Sequence, residues 1–207
     1  MDQVKVVYYG HSCFVLENNG YRVAVDPYRS GMIPGLPELC VTANAVFCSH
    51  SHDDHGHVQS VLLEKSNIPE NFSMEKWITP HDDQGGKLRG MNTVHTYRFG
   101  NLRIAHLGDI GCFPDEGLLS ALQNVDCLLI PVGGFYTIDA ETAKGIVDAV
   151  NPRVCVPMHY RTDTTGLGKI AHLSDFAGYY ERINTCENSF VLTQDTPKQI
   201  LVIQYNP

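Results

Sequence analysis

A chain of 207 residues with 43% hydrophobic residues can bury a sizeable core, and we expect a single domain over 1–207. The formal net charge is −8 and no block of lysine or arginine occurs, which argues against a nucleic-acid partner. No apolar run approaches the roughly 20 residues that span a bilayer, and residues 1–5 lack the character of a signal peptide. The scattered cysteines form no C-x-x-C pair and predict free thiols. We therefore expect a cytoplasmic protein without a membrane partner.

The first half of the chain is predicted to consist mainly of short strands. β-Branched and aromatic runs predict strands at 3–9, 13–17, 21–26, 45–49, 77–79, 92–99 and 102–107. The Asn-Gly pair at 19–20 favours a hairpin turn. Val58, Val61 and Leu62 recur at helical spacing, so a helix is expected over 57–65.

The second half adds more helices. Apolar spacing predicts a helix over 115–124 and another that begins after Asp139, carries an apolar stripe and stops at Asn151-Pro152. A third helix is expected over 174–183. Strands are predicted at 127–132, 153–158, 189–194 and 198–205. Strands in both halves with interspersed helices indicate two packed sheets with helices outside, an α/β (α+β) sandwich.

Segment 50–55, with the sequence His-Ser-His-Asp-Asp-His, directly follows the apolar run 45–48. In an extended segment His50 and His52 point the same way, and Asp54 and His55 can turn toward the same cavity. Imidazole nitrogens and carboxylate oxygens are ligands of Zn²⁺ and related divalent ions. The segment therefore predicts a metal site.

Three later side chains follow predicted strands and are candidates for the same site. Asp109 follows a strand that ends in Gly108, and His159 follows the strand at 153–158. His81 follows the strand at 77–79 and is the preferred further imidazole. His95 and His106 compete with it, but both lie within strand patterns that favour structural histidines.

The spacing H-x-H-x-D-H after a buried strand resembles the metallo-β-lactamase superfamily. The resemblance extends over nearly the whole chain through segments 10–14 (Gly-His-Ser-Cys-Phe), 26–27 (Asp-Pro), 79–83 (Thr-Pro-His-Asp-Asp), 107–109 (Leu-Gly-Asp) and 157–160 (Pro-Met-His-Tyr). The opening segments are similar to the small stand-alone branch that includes L-ascorbate-6-phosphate lactonase. This resemblance implies a four-layer αββα sandwich and a metal-dependent hydrolase.

The resemblance also implies a pair of divalent ions and their ligands. The first ion would be held by His50, His52 and His81, the second by Asp54, His55 and His159, and Asp109 would bridge the two. Zinc suits this set best, and manganese, iron or nickel accept it too. Two such ions lower the pKa of a shared water from about 15.7 to about 7, which supplies hydroxide near neutral pH.

His11 and Asp26 lie close to the expected site by the same resemblance. His11 is a candidate catalytic residue with Asp54 and Asp109, as an extra ligand, a donor behind the ligands or a substrate contact. Asp26 is expected to orient a ligand rather than bind metal itself. Cys13 lies in an apolar run and is expected in the core rather than as a nucleophile.

Substrate contacts are sought among cations and aromatic groups near the predicted ligands. Lys87 and Arg89 lie in the glycine-rich loop after His81, Tyr136 follows Gly134, and Arg161 follows His159. These groups could hold a phosphate or carboxylate, so we expect a small, anionic substrate.

The leading hypothesis is a hydrolase of a small ester, such as a lactone or a phosphorylated sugar derivative. A phosphodiesterase or nuclease with the same centre is the alternative, although the acidic charge opposes it. A metal-holding oxidoreductase is a third reading, disfavoured because His52 stands where the diiron branch has Glu. A non-catalytic metal sensor and a homo-oligomer are also open.

Overall fold

The computed structural model of the protein describes residues 2–206. It contains the strands β1 (Gln3–Tyr8), β2 (Phe14–Asn18), β3 (Tyr21–Val25), β4 (Val41–Ala43), β5 (Ala45–Phe47), β6 (Val61–Leu63), β7 (Phe72–Pro80), β8 (Met91–Phe99), β9 (Leu102–His106), β10 (Cys127–Pro131), β11 (Val154–Met158), β12 (Asn184–Glu187), β13 (Ser189–Thr193) and β14 (Gln199–Gln204). The helices are α1 (Glu116–Leu122), α2 (Ala140–Val150) and α3 (Leu173–Ala177), and Val58–Ser60 forms one turn of 3₁₀ helix.

Two large mixed sheets form the frame of the fold. The five-stranded sheet has the order β13-β1-β2-β3-β5, and the seven-stranded sheet has the order β12-β14-β11-β10-β9-β8-β7. Within the first sheet β3 and β5 are parallel, and in the second β9, β10 and β11 are parallel. β1 runs in the direction of β3 because both are antiparallel to β2, and β7 runs in the direction of β9 because both are antiparallel to β8.

Alternating side chains bury one core between the sheets. On β1, Val4, Val6 and Tyr8 are buried while Gln3 and Lys5 are exposed, the period that a half-buried strand requires. The opposing sheet contributes Leu129 and other apolar groups from its inner face. The predicted two-sheet sandwich is confirmed.

The outer face of the seven-stranded sheet is covered by the helices. Leu118 and Leu122 of α1 and Ile146 of α2 pack on side chains such as Leu128 and Ile130. The Asp139 side chain accepts a hydrogen bond from the Thr142 backbone N–H, and Asn151 ends α2 in a left-handed conformation. The predicted cap and stop of α2 are confirmed. Helix α3 is shorter than the predicted 174–183.

The outer face of the five-stranded sheet carries loops and the small β4–β6 sheet. The helix predicted over 57–65 is wrong, because residues 61–63 pair in parallel with 41–43 after the single 3₁₀ turn. Val61 is buried against the sheet while Leu62 and Leu63 remain exposed. The apolar residues that recur at helical spacing therefore belong to a short strand with one buried side chain. Strands β4, β6 and β12 were not predicted. Within residues 2–206, no helix is long and apolar enough to cross a membrane.

We expect Leu129→Ala to lower the free energy of unfolding by about 2–5 kcal/mol, because it removes a fully buried side chain from between the sheets. Urea denaturation would measure the change. Val191→Ala on the edge strand β13 is the matched control, since Val191 is half exposed and its truncation should cost no more than about 0.5 kcal/mol. Equal losses in the two variants would contradict this description of the core.

Candidate metal centre

The candidate ligands lie where strands that run in one direction end. His11 follows β1, the 50–55 segment follows β5, His81 follows β7, and His159 follows β11. Because like-directed strands finish at the same edge of a sheet, the carboxyl ends of both sheets deliver these side chains to one place. A rigid scaffold therefore positions loops that are far apart in sequence.

The first ligand group consists of His50, His52 and His81. One ligand atom from each lies within 4.8 Å of the others. The ring centroids of His50 are 4.6 Å from His52 and 4.5 Å from His81. The three residues predicted for the first ion are thus brought together, and His81 occupies the position for which His95 and His106 were competitors.

The second ligand group consists of Asp54, His55, His159 and also His11. The Nε2 atom of His11 lies 3.5 Å from Oδ2 of Asp54, and the His11 and His159 ring centroids are 4.1 Å apart. Of the roles that the sequence left open for His11, the geometry favours that of an extra ligand in this group.

Asp109 lies between the two groups. Its Oδ2 is 3.1 Å from Nε2 of His81 and 3.4 Å from Nε2 of His159, and its Oδ1 is 3.2 Å from Nε2 of His55. It also forms a third possible ligand set with His50 and His55, one residue from each group. This is the location that a bridging carboxylate would need.

The polar atoms of this cluster are of the kinds that bind metal ions. Several buried atoms lack a hydrogen-bond partner within the described chain, namely Nε2 of His50, Nε2 of His55, Nδ1 of His81, Oδ1 of Asp109 and both ring nitrogens of His11 and His159. Burying polar groups without hydrogen-bond partners costs free energy, so an ion that these atoms could ligate would stabilise the cluster. Six imidazoles and two carboxylates form the donor set of Zn²⁺ and similar divalent ions.

Asp26 orients two of the imidazoles from behind. It is fully buried, and its Oδ2 accepts a 2.7 Å hydrogen bond from Nδ1 of His55. The Ser49 backbone N–H donates to Oδ1 and its hydroxyl donates to Oδ2, both at 2.6 Å. Since that hydroxyl proton is committed to Asp26, Nδ1 of His50 donates to Ser49 Oγ at 2.9 Å. Nε2 of both His50 and His55 is thereby directed into the cluster, as metal-binding histidines require.

Asn92 and Gly108 place the carboxylate of Asp109. The buried Asn92 side chain accepts a 2.8 Å hydrogen bond from the Asp109 backbone N–H and donates to Thr79 and to the Leu107 carbonyl. Gly108 has φ +55°, and a Cβ there would lie 2.4 Å from Ser49 Cβ. The sequence indicated Asp109 as a candidate ligand but not Asn92, whose position in a strand gave no signal.

The pKa values of the cluster reflect burial and mutual charge. Burial, together with His55, lowers the pKa of His50 to about 3, which keeps its imidazole neutral. For Asp26 burial acts to raise the pKa, but His106 and His55 outweigh it and hold the pKa at about 2. Burial acts to lower the pKa of His55, yet the carboxylates of Asp109 and Asp26 raise it well above its ordinary value. Without a metal ion His55 is therefore a protonated link between two carboxylates.

Further histidines lie outside the ligand groups found within residues 2–206. His106 is satisfied, because its Nε2 donates to the Ser12 carbonyl at 3.0 Å and its Nδ1 accepts from the Gly108 N–H at 3.1 Å. His95 is buried beside Phe47 and Tyr97 and belongs to none of the ligand groups within 2–206. His172 precedes α3 at the surface. Cys13 is buried, and all seven cysteines are free.

The ligand groups open into a cavity of about 630 Å³, which we call the metal cavity. His52, Asp54, His81 and Asp109 line it, and its outer wall is formed by Met32, Leu88, Arg89, Tyr136 and Leu167. Of the predicted substrate contacts, Arg89 and Tyr136 line this cavity. Lys87 and Arg161 do not: Lys87 is exposed on the loop, and the backbone of Arg161 pairs with Ala171 and His172.

Asp82 shapes the loop that carries Arg89. Its two carboxylate oxygens accept hydrogen bonds of 2.8 Å from the backbone N–H groups of residues 84, 86, 88 and 89. The aspartate thus acts as the centre around which the glycine-rich segment closes. Sequence analysis described the loop as a source of cations and did not assign this role to Asp82.

We expect Asp26→Asn to weaken zinc binding about 10–100-fold, because the amide cannot accept the three hydrogen bonds that orient His55 and Ser49. Competition with a chromophoric chelator would measure the affinity. Asp175→Asn, at an exposed position on α3, is the control and should bind zinc normally. Unchanged affinity in Asp26→Asn would contradict the orienting role.

Zinc affinity should also rise with pH, by up to about tenfold per unit while His55 carries its competing proton. The raised pKa of His55 places this dependence across neutrality and above it, whereas His50 is already neutral there. Isothermal titration calorimetry in buffers of different ionisation enthalpy would count the protons released. A pH-independent affinity without proton release would show that His55 is not the competing group.

The chain is similar to several known proteins. A profile of the beta-lactamase superfamily domain matches residues 5–159. A UPF0173 metal-dependent hydrolase of Nanoarchaeum equitans is 27% identical over 191 residues, covering 77% of this chain and 85% of the relative. A relative from Carboxydothermus hydrogenoformans, also named a metal-dependent hydrolase, is 28% identical over 194 residues, again covering 77% and 85%.

A solved structure from Thermotoga maritima, assigned as a Zn-dependent hydrolase of the metallo-beta-lactamase superfamily, superposes with a TM-score of 0.77. It is 27% identical, and the match covers 98% of this chain and 100% of that one. The metallo hydrolase Igni18 of Ignicoccus hospitalis shares the fold at 20% identity, with a TM-score of 0.66 and coverage of 92% and 99%. The ligand geometry, the matched profile and the shared fold together show that the chain belongs to the metallo-β-lactamase superfamily.

Proposed function

We propose that this protein is a metal-dependent hydrolase of a small anionic ester, such as a lactone or a phosphorylated sugar derivative. The observation that carries the proposal is the pair of ligand groups with Asp109 between them, beside an open cavity. Several ring nitrogens in these groups are buried and have no hydrogen-bond partner within the described chain. Relatives named as metal-dependent hydrolases support the reaction class.

We infer that two divalent ions, zinc in the first place, are held by this cluster. His50, His52 and His81 would hold one, Asp54, His55, His159 and His11 would hold the other, and Asp109 would contact both. Divalent ions bound in this way lower the pKa of water and polarise a carbonyl or phosphoryl oxygen. No serine or cysteine nucleophile is then needed, and Cys13 is enclosed in the core.

Asp54 is the group best placed to receive a proton during hydrolysis. It lines the metal cavity, and its carboxylate lies beside His11 and His55. Burial acts to raise its pKa, but the hydrogen bond with His11 and the charge of His55 hold the pKa well below its ordinary value. The carboxylate is therefore ionised at neutral pH, which is the form that can accept a proton, and its low pKa favours the rapid release of that proton to water.

Arg89 and Tyr136 are the groups that would bind the rest of the substrate. Both line the metal cavity, and the Arg89 guanidinium lies 5.7 Å from the Tyr136 ring centroid. Arg89 forms no ion pair with a carboxylate within residues 2–206, so its charge is available to a phosphate or carboxylate. Met32, Leu88 and Leu167 add apolar surface that limits water around the bound substrate.

The proposal is tested by metal analysis of the purified protein together with assays on a panel of lactones, sugar-phosphate esters and bis(p-nitrophenyl) phosphate. Bound zinc with lactone or ester turnover would support it. Turnover of the phosphodiester alone would favour a phosphodiesterase, and bound iron with oxygen consumption would favour an oxidoreductase.

We expect His52→Ala and Asp109→Ala each to lower kcat by at least about 100-fold. The loss of a ligand should reduce activity more than the roughly 10–100-fold that follows when a residue hydrogen-bonded to a ligand is removed. His52 is exposed, so its truncation should leave the melting temperature unchanged. His172→Ala, a surface histidine outside the ligand groups, is the control and should retain activity. Full turnover in both ligand variants would rule out the proposed centre.

A further inference from the structure

A second cavity adjoins the metal cavity. It has a volume of about 590 Å³ and shares Leu88, Arg89 and Tyr136 with the metal cavity, and we call it the distal cavity. The two cavities therefore form one cleft with Arg89 and Tyr136 at the junction. Phe113 and Phe135 line the distal part, far more exposed than aromatic side chains usually are, at 46% and 54%.

Phe135 is held in an unusual backbone conformation. Its φ is +54°, which is rare for a bulky residue. Within residues 2–206, the non-glycine residues with positive φ are four asparagines, three members of the metal centre or its support (His11, Asp26 and His159), and Phe135. Backbone strain of this kind concentrates where a side chain must be presented in a fixed direction. Phe135 thus shares a feature otherwise confined to asparagines and to the metal centre.

Two cations that pair with no carboxylate in the described part of the chain lie over this ring in cation–π contact. The Arg89 guanidinium is 5.9 Å and the Lys169 ammonium is 4.8 Å from the Phe135 ring centroid. Neither is within salt-bridge distance of a carboxylate in the described part of the chain. In a protein of net charge −8, such a pair is complementary to an anion.

Aromatic rings form one part of the wall of the distal cavity, and polar side chains such as Asp83, Asp139 and Thr142 form the rest. The Phe113 ring lies over Gly145 of α2, where a Cβ would be 3.4 Å from Phe113 Cε2. The Phe135 and Tyr136 rings meet edge-on with centroids 4.7 Å apart. An aryl ring of a ligand stacks on such surfaces, and the C–H face of a sugar ring packs on them as well.

We propose that the substrate is bipartite: its scissile bond lies in the metal cavity, its anionic group at Arg89 and Lys169, and an aryl or sugar ring in the distal cavity against Phe135 and Phe113. This deepens the proposed function and rests on it for the scissile bond. Phe135 is the residue that determines specificity for the ring.

Calorimetric titration of the zinc-loaded protein with methylphosphonate, benzylphosphonate and glucose 6-phosphate tests the proposal. At least one ring-bearing ligand should bind about tenfold more tightly than methylphosphonate, which corresponds to about 1.4 kcal/mol. The ligand that gains identifies the ring as aryl or sugar. Equal affinities for all three would overturn the proposal.

Variants test whether the ring of the ligand contacts Phe135. Phe135→Ala should remove the advantage of the ring, while Arg89→Ala should weaken all the ligands alike. Phe135→Gly should lose the same advantage without a lower melting temperature, because glycine accepts the positive φ. Leu63→Ala, which removes an equally exposed apolar side chain that lines neither cavity, should change nothing. A ring advantage that survives in Phe135→Ala would overturn the proposal.

The two proposals fail in different ways. Ring-dependent binding without hydrolysis of any ester would leave the bipartite site standing and remove the proposed reaction. Ester hydrolysis without any ring-dependent affinity would leave the reaction standing and remove the bipartite site.

Discussion

Two buried carboxylates joined through one imidazole hold the centre of this structure together. Nδ1 of His55 is 2.7 Å from Asp26 and its Nε2 is 3.2 Å from Asp109. Burial alone would make both carboxylates hard to ionise, and it is the surrounding imidazoles and hydrogen bonds that keep them charged. Removing one partner of such a buried pair leaves an uncompensated charge and typically costs about 3–5 kcal/mol. The loops after β3, β5 and β9 are therefore fixed relative to one another by charge as well as by packing.

The two-sheet frame makes this arrangement possible. Strands that run in one direction within each sheet bring their carboxyl ends to the same edge, and a hydrogen bond of 2.9 Å from the His159 N–H to the His11 carbonyl joins the two sheets there. His11, Asp26 and His159 all turn their backbones through positive φ at that edge. Strained backbone conformations persist only where the contacts of the surrounding structure hold them in place. Here the two packed sheets provide those contacts.

Much of this could be predicted from the sequence because the signals were local. The 50–55 segment carries four of the grouped residues within six positions, and Asp109 and His159 each follow an apolar strand. Asp139 and Asn151 marked the ends of α2 correctly for the same reason. The 57–65 segment misled because apolar spacing does not distinguish a helix from a short strand whose partner, 41–43, is supplied by the fold.

Roles that depend on contacts between distant residues gave no such signal. Asn92 lies in an ordinary strand pattern, and only the approach of β8 to the loop after β9 makes it a partner of Asp109. Phe135 follows a glycine pair, and nothing in the sequence distinguishes it from other aromatic residues. Its positive φ and its contacts with two cations appear only in the folded structure.

Under the proposed function, the charge distribution of this acidic protein favours small anions over polyanions. A polynucleotide contacts a wide surface, and over such an area the net charge of −8 is unfavourable. A small anion experiences only its immediate surroundings, which include Arg89 in the metal cavity and Lys169 beside Phe135, neither of them paired with a carboxylate within residues 2–206. Ions bound by the histidine cluster would add positive charge at the same place. Local attraction by these cations, combined with repulsion by the acidic remainder of the surface, would therefore favour short anionic substrates over polymers.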